Sequence, residues 1–74
     1  MENIAKNYNL DLDDGNENNY DGLYQLLLDY EIASAETLET ITAINGHNVK
    51  TLLDVVYIKS GLRSIEQLLD DLEQ

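Results

Sequence analysis

The chain has 74 residues, of which 15 are acidic and 4 are basic, and its formal net charge is -11 at pH 7. This length allows one small domain with a marginal core, and the absence of cysteine excludes disulfides and cysteine-based metal sites as a further source of stability. Helix packing must therefore supply the stability. Because DNA-binding proteins are positively charged where they meet phosphates, the net charge excludes a conventional nucleic-acid binder.

The sequence contains no segment typical of membrane insertion or export. Its longest run of strongly apolar residues is 26–28, and the residues from Met1 to Lys6 lack the basic region and apolar centre of a signal peptide. We therefore expect a soluble, cytoplasmic protein that does not contact membranes.

Residues 7–20 are rich in Asn, Asp and Gly, which favour turns because their side chains compete for backbone hydrogen bonds. This composition predicts an irregular acidic arm over residues 1–20, either disordered or loosely packed. From Asp21 onward, apolar residues recur at helical spacing, and Asp21 itself suits the positive end of a helix dipole. The first predicted helix covers roughly residues 21–31.

Residues typical of helix ends predict three further helices. Ser34 is a good N-cap for a second helix. This helix is predicted to stop at Asn45-Gly46, where we expect a left-handed backbone conformation. Asn48 caps a third helix, which Gly61 closes. Ser64 and Gln67 fit a capping box, with Gln67 reaching back to the first amide, and begin a fourth helix.

These elements predict an all-α fold, a small bundle of three to four short helices over residues 21–74. Val55-Val56-Tyr57-Ile58 has local strand propensity because of its β-branched residues, but the three-four spacing around it favours helix. The predicted core is Leu23, Leu26, Leu27, Tyr30, Leu38, Ile41, Ile44, Val49, Leu52, Leu53, Val56, Tyr57, Ile65, Leu68, Leu69 and Leu72.

The negative charge is concentrated in one part of the chain. Residues 7–49 contain no Lys or Arg, so most carboxylates there cannot pair with a cation one helical turn away. Either a partner selects for this charge or it forms a solvated surface that serves solubility. The carboxylates in question are Asp11, Asp13, Asp14, Glu17, Asp21, Asp29, Glu31, Glu36 and Glu39.

No motif predicts catalysis, a metal site or a cofactor. The segment from Asp11 to Glu17 looks like a calcium loop, but its glycine is out of register with the required ligands. His47 is the single histidine and falls in a predicted turn, where solvent exposure is the default. Ser34 and Ser64 are explained as helix caps, and no Gly-rich phosphate loop is present, so an enzyme is not expected.

Tyrosines accompany the acidic arm. Tyr8, Tyr20 and Tyr24 lie in or beside it, where a large amphipathic side chain with few rotatable bonds suits a binding surface. The alternative is that these rings fold back onto the small core.

Carboxylates on helices can imitate the phosphates of DNA. Residues three or four apart on a helix lie about 5 to 6 Å apart at Cβ, comparable with neighbouring phosphates of one strand. Glu36 with Glu39 has this spacing. Glu66, Asp70 and Glu73 repeat it near the chain's end, and Asp29 and Asp54 add charge on other helices.

The helical part of the sequence resembles the middle domain of the ArdA-type antirestriction proteins. The resemblance covers about Tyr30 to Leu72 and rests on Tyr30-Glu-Ile-Ala-Ser-Ala-Glu-Thr-Leu-Glu-Thr-Ile-Thr-Ala-Ile, on Leu52-Leu53, and on Ser64-Ile-Glu-Gln-Leu-Leu-Asp-Asp. Family members are larger, dimeric DNA mimics with further acidic domains, which this chain lacks. The resemblance implies a mimic from a phage or mobile element.

The predicted function is therefore an acidic DNA-mimic inhibitor of a host defence nuclease of the restriction or CRISPR type. It would bind that protein's basic DNA-binding surface as a monomer or weak homodimer, without binding nucleic acid directly. The alternative is a small acidic interaction module, such as a transcription regulator or antitoxin, that binds through an apolar patch. The predicted partner-binding residues are Asp13, Asp14, Glu17, Asp21, Glu36, Glu39, Tyr20 and Tyr24.

Overall fold

Five α-helices and one 3₁₀ turn make up the protein in a computed structural model that describes the backbone of residues 2–73 and the side chains of residues 4–73. No strand occurs in that range, so the predicted all-α fold is confirmed. The predicted arm, residues 1–20, begins at Met1, and the predicted bundle, residues 21–74, ends at Gln74. These two terminal residues lie outside the described residues. The helices are α1 (Glu2–Asn7), α2 (Tyr20–Asp29), α3 (Ala35–Asn45), α4 (Val49–Ser60) and α5 (Ile65–Leu72), with the 3₁₀ turn at Glu17–Asn19.

The three predicted N-caps are confirmed. The side chains of Ser34, Asn48 and Ser64 each accept a hydrogen bond from the backbone amide three residues later, at 3.1, 2.9 and 3.1 Å. Each bond satisfies one of the amides that a helix N-terminus leaves without an intrahelical partner. Gly61 ends α4 in the left-handed conformation, as expected for a glycine after a helix.

Two details of the predicted helix ends are wrong. Gly46 stops α3 with a positive φ of 112°, but its ψ of 151° is extended and not left-handed helical. The Gln67 side chain accepts from the Arg63 amide at 2.8 Å and not from the Ser64 amide, so the reciprocal bond of the capping box is displaced by one residue.

The end of α2 is also earlier than predicted. The helix ends at Asp29, and Glu31 adopts a positive φ of 56° beyond it. The Ile32 amide donates to the Leu27 carbonyl at 2.9 Å and the Glu31 amide to the Leu28 carbonyl at 3.1 Å, the two bonds of a Schellman motif. Sequence patterns place Gly or Asn at such a position, so Glu31 gave no stop signal.

The core lies where α4 packs against both α2 and α3. Ile41, Leu53 and Leu72 were predicted as core and are half-buried against it. The buried residues that the helical stripes predicted correctly are Leu23, Leu26, Leu27, Leu38, Val49, Leu52, Val56, Ile65, Leu68 and Leu69.

Three predicted core residues are exposed. Tyr30 is 42% exposed because it lies past the last turn of α2, and Ile44 is 75% exposed in the last turn of α3. Tyr57 is 48% exposed, and its ring lies under the Arg63 guanidinium at 5.0 Å instead of inside the bundle. The apolar stripes are thus longer and wider than the area that neighbouring helices cover.

The N-terminal arm contains a helix that the sequence did not predict. Residues 2–7 form α1, and Ile4 and Leu10 are each 8% exposed within the common core. Asn19, which is 1% exposed, accepts from the Asp11 amide and donates to the carbonyls of Asp11 and Asp13. The arm is therefore helical over residues 2–7 and packs on the core through Ile4 and Leu10, where the sequence predicted only irregular structure. Its irregular part, residues 10–16, is a loop closed by side-chain amides.

Candidate functional site on the acidic surface

Exposed carboxylates occur on the loop before α2 and on each helix from α2 to α5. The Cα atoms span 32 × 21 × 19 Å, and the whole chain carries a net charge of -11 within that volume. The surface therefore carries a high density of negative charge. The exposed carboxylates of residues 4–72 are Asp11, Asp13, Glu17, Asp21, Asp29, Glu31, Glu36, Glu39, Asp54, Glu66 and Asp71.

Hydrogen bonds to neutral donors keep two of these carboxylates ionised. Asp11 accepts from the amide of Asp13 and from the side chains of Asn16 and Asn19, and these bonds, led by the backbone one, lower its pKa. Asp29 accepts from the Tyr8 hydroxyl at 2.6 Å and from the Gln25 side chain at 2.8 Å, which lowers its pKa. None of these donors brings a positive charge, so the negative charge is retained.

The bond between Tyr8 and Asp29 also changes the tyrosine. The Tyr8 hydroxyl donates a hydrogen bond to the Asp29 carboxylate. This bond, together with burial and the nearby negative charge, raises the pKa of Tyr8 to about 12. The bond joins the residue that follows α1 to the last residue of α2. It therefore helps to hold the N-terminal arm against the bundle.

Two predicted partner-binding carboxylates bind helix N-termini of the protein itself. Glu17 accepts from the Val49 amide at 2.9 Å and Asp14 from the Ile65 amide at 3.0 Å. Val49 and Ile65 are the first residues of α4 and α5, where backbone amides lack intrahelical partners and the helix dipole attracts negative charge. Asp14 and Glu17 therefore have a structural role that sequence analysis missed.

The remaining loop carboxylate, Asp13, shapes the turn that follows it. Its side chain accepts from the Gly15 amide at 2.9 Å, an Asx turn, and its carbonyl accepts from Asn19 at 3.1 Å. The residue is exposed, so its charge still faces solvent.

Four of the eight predicted partner-binding residues come together in a concavity between α2 and α3, here called the aromatic concavity. It has a volume of about 490 Å³. The rings of Tyr20 and Tyr24 lie 5.9 Å apart between centroids, tilted by 49°. Asp21 on α2 and Glu39 on α3 add two carboxylates. The lining residues are Tyr20, Asp21, Tyr24, Gln25, Glu39, Thr42 and His47.

His47 closes one end of the aromatic concavity. Its Nδ1 lies 3.3 Å from the Tyr20 hydroxyl, and the two rings meet edge to face with centroids 6.5 Å apart. Burial raises the pKa of Tyr20, and repulsion from an ionised Tyr24 and from Asp21 adds to this, while a hydrogen bond with Thr42 acts in the opposite direction. The exposure predicted for His47 is confirmed, but its contact with a residue 27 positions earlier was missed because no local pattern reports such a contact.

Glu36 is the eighth predicted residue and lies outside the aromatic concavity. It is exposed in the first turn of α3, one turn before Glu39. The two carboxylates share a helix and a charge but differ in their surroundings, so they form a natural matched pair for mutagenesis.

A second, shallower groove has mixed charge. It has a volume of about 390 Å³ and is lined by Lys50, Leu53, Asp54, Tyr57 and Arg63. The stacked Arg63 and Tyr57 form one wall, so part of the chain's small positive charge lies here and not beside the acidic run.

Comparison with family models, with curated proteins and with solved structures finds no match to this chain. Between residues 2 and 73, no helix is long and apolar enough to cross a membrane. Among the described side chains, no group of three or more His, Asp or Glu residues is arranged to hold a metal ion.

Proposed function

We propose that this protein is an acidic DNA mimic, made by a phage or mobile element, that inhibits a host defence nuclease in the cytoplasm. The observation that carries the proposal is that exposed carboxylates are spread over the loop before α2 and over the four helices α2 to α5. In addition, the hydrogen bonds that Asp11 and Asp29 accept come from neutral donors. Such a surface keeps its charge and attracts a basic cleft that normally receives phosphates.

The density of charge supports this proposal. B-DNA carries one negative charge per about 1.7 Å of axis, so a segment as long as the protein's longest dimension of 32 Å carries about 19. The protein has 15 acidic side chains and a net charge of -11. It therefore presents more than half of the charge of an equal length of DNA, enough to compete for Lys and Arg side chains arranged along a DNA path.

DNA displacement tests the proposal. The protein is used to capture its target from host lysate, and the purified target is then loaded with a fluorescent DNA duplex. We expect the protein to release the duplex, and its own affinity for the target to fall steeply between 50 and 200 mM salt, as for DNA itself. A complex that forms equally well on the DNA-loaded target would show that the protein binds elsewhere, and the proposal would be wrong.

Charge reversal locates the inhibitory surface. We expect Asp21→Lys, Glu36→Lys and Glu39→Lys each to weaken DNA displacement, while Asp71→Lys, the same change on α5, has a smaller effect. Circular dichroism checks that each variant remains helical. If only Asp71→Lys weakens displacement, the mimicking surface lies on α5 and not on α2 and α3.

A second candidate is an acidic interaction module that binds through apolar contacts. The observation in its favour is the exposure of large apolar side chains, with Ile44 at 75%, Ile58 at 73% and Tyr57 at 48%. An interface of this kind changes little with salt and is lost in Ile58→Ser, whereas charge mimicry predicts that Ile58→Ser leaves DNA displacement intact.

A further inference from the structure

We propose that the aromatic concavity binds the guanidinium group of one arginine side chain of the partner. This inference rests on the proposed function only for the identity of the protein that carries the arginine. The concavity itself combines the two kinds of group that bind guanidinium best, aromatic rings and carboxylates. The tyrosines and carboxylates lie on α2 and α3, and His47, in the loop between α3 and α4, adds a third ring.

The aromatic part is formed by Tyr20 and Tyr24. Both side chains are half-buried, so their rings are held by packing while part of each still faces the concavity. The contact of Tyr20 with His47 further fixes the first ring. A cation within about 6 Å of such a ring centroid is attracted by the negative face of the ring, and arginine makes this contact more often than lysine.

The acidic part is formed by Asp21 and Glu39. Both are exposed, and among the described residues neither side chain has a hydrogen-bond or ion-pair partner. In Asp14 and Glu17, by contrast, one carboxylate oxygen each accepts from a helix amide. The carboxylates of the concavity therefore keep their acceptor capacity for an external donor.

Arginine fits this combination better than lysine. Its planar guanidinium can stack on a ring and still direct its N–H groups, which lie in its own plane above the ring, at carboxylates beside the ring, whereas the lysine ammonium is a strongly hydrated point charge. The protein already contains one such stacked pair, in which the Arg63 guanidinium lies 5.0 Å from the Tyr57 centroid. The aromatic concavity offers two rings and two carboxylates, but no cation among its lining residues.

A titration with small probes tests the inference without the target. The 74-residue protein is titrated with N-acetyl-arginine methylamide and, separately, with N-acetyl-lysine methylamide, and the resonances of Tyr20, Tyr24 and His47 are followed by nuclear magnetic resonance. We expect the arginine probe to shift these resonances at lower concentration than the lysine probe does. Its binding should be about three- to fivefold tighter, a difference typical of one exposed stacking contact.

Matched variants separate the site from general charge. Glu39→Gln should weaken the arginine probe about three- to fivefold, the range of an exposed ion pair, while Glu36→Gln, the same change one turn away, should not. Tyr24→Leu keeps apolar volume but removes a ring, and should abolish the preference for arginine in a protein that circular dichroism shows to be folded.

Equal binding of both probes, or equal weakening by Glu39→Gln and Glu36→Gln, would overturn the arginine site. That outcome leaves charge mimicry standing, since displacement of DNA from the target depends on the whole acidic surface. Selective arginine binding together with failure to displace DNA would instead refute the proposed function and keep the site.

Discussion

Replacing Gly22 with alanine tests how the N-terminal arm is packed. Gly22 lies inside α2, where a glycine-to-alanine change ordinarily stabilises a helix by about 1 kcal/mol. Here a Cβ atom would lie 2.0 Å from the Tyr8 carbonyl oxygen and 3.1 Å from its carbon. Because carbon and oxygen atoms do not approach within about 3 Å without strong repulsion, the backbone of the arm must move by roughly 1 Å.

Both ways of relieving this contact cost more than the helix gains. A backbone shift in a packed region costs about 1–3 kcal/mol, as for other overpacked sites. Detachment of the arm removes Ile4 and Leu10 from the core, and burial of each such side chain is worth about 1.5–3 kcal/mol. After subtraction of the helix gain, we expect Gly22→Ala to lower the free energy of unfolding by up to about 2 kcal/mol.

Urea denaturation measures this change, and hydrogen exchange of the Leu10 amide, which donates to the Ala5 carbonyl, shows whether the arm has detached. Gly15→Ala is the matched control. A Cβ at Gly15 would meet the Asp13 carboxylate at 3.4 Å, an ordinary contact distance, so stability should change by less than about 0.5 kcal/mol. A Gly22→Ala protein more stable than the wild type would refute the packing of Tyr8 on α2.

Three other perturbations have expected results. Glu31→Gly should raise the free energy of unfolding by up to about 1 kcal/mol in urea denaturation, because its φ of 56° is strained for a side chain with a Cβ; destabilisation would contradict the Schellman end of α2. Asp14→Ala and Glu17→Ala should each lower it by about 1 kcal/mol, because a helix amide loses its acceptor, whereas higher stability would show that relief of charge repulsion dominates. The pKa of Tyr8 is raised to about 12, so the stability gained from its bond to Asp29 is present below pH 10 and is lost as the pH rises to about 12. The difference in unfolding free energy between the wild type and Tyr8→Phe should therefore disappear over that pH window. A difference that stays constant would contradict the bond.

The features that the sequence predicted correctly depend on neighbouring residues. Ser34, Asn48 and Ser64 each cap a helix through a bond to an amide three residues later, so the whole signal lies within one turn. The three-four spacing of α4 likewise predicts the buried Val49, Leu52 and Val56, but Tyr57 on the same stripe is exposed because no neighbouring helix covers it. Local rules were sufficient for the caps because these interactions are complete within a few residues.

The features that were missed join distant parts of the chain. Glu17 binds α4 across 32 residues and Asp14 binds α5 across 51 residues, while a composition rich in turn-forming residues predicts only that their loop is irregular. The same limit applies to the candidate site. Tyr20 and Tyr24 were predicted as binding residues, although Tyr20 was assigned to the irregular arm and is in fact the first residue of α2, whereas His47 meets Tyr20 only through the tertiary fold.

These long-range bonds divide the acidic residues into two sets with different explanations. Asp14 and Glu17 are held near the positive ends of two helix dipoles, so folding itself offsets part of their mutual repulsion and accounts for their presence in the loop. The second set, Asp21, Glu36 and Glu39, is exposed on α2 and α3 without a hydrogen-bond or ion-pair partner among the described residues. Asp21 and Glu36 lie in the first turns of their own helices, where the dipole offsets part of their charge, whereas Glu39 lies beyond the first turn of α3. A cation from outside would relieve the repulsion that remains. The proposed partner surface therefore centres on α2 and α3, beside the aromatic concavity, and not on the loop that carries the densest run of negative charge in the sequence.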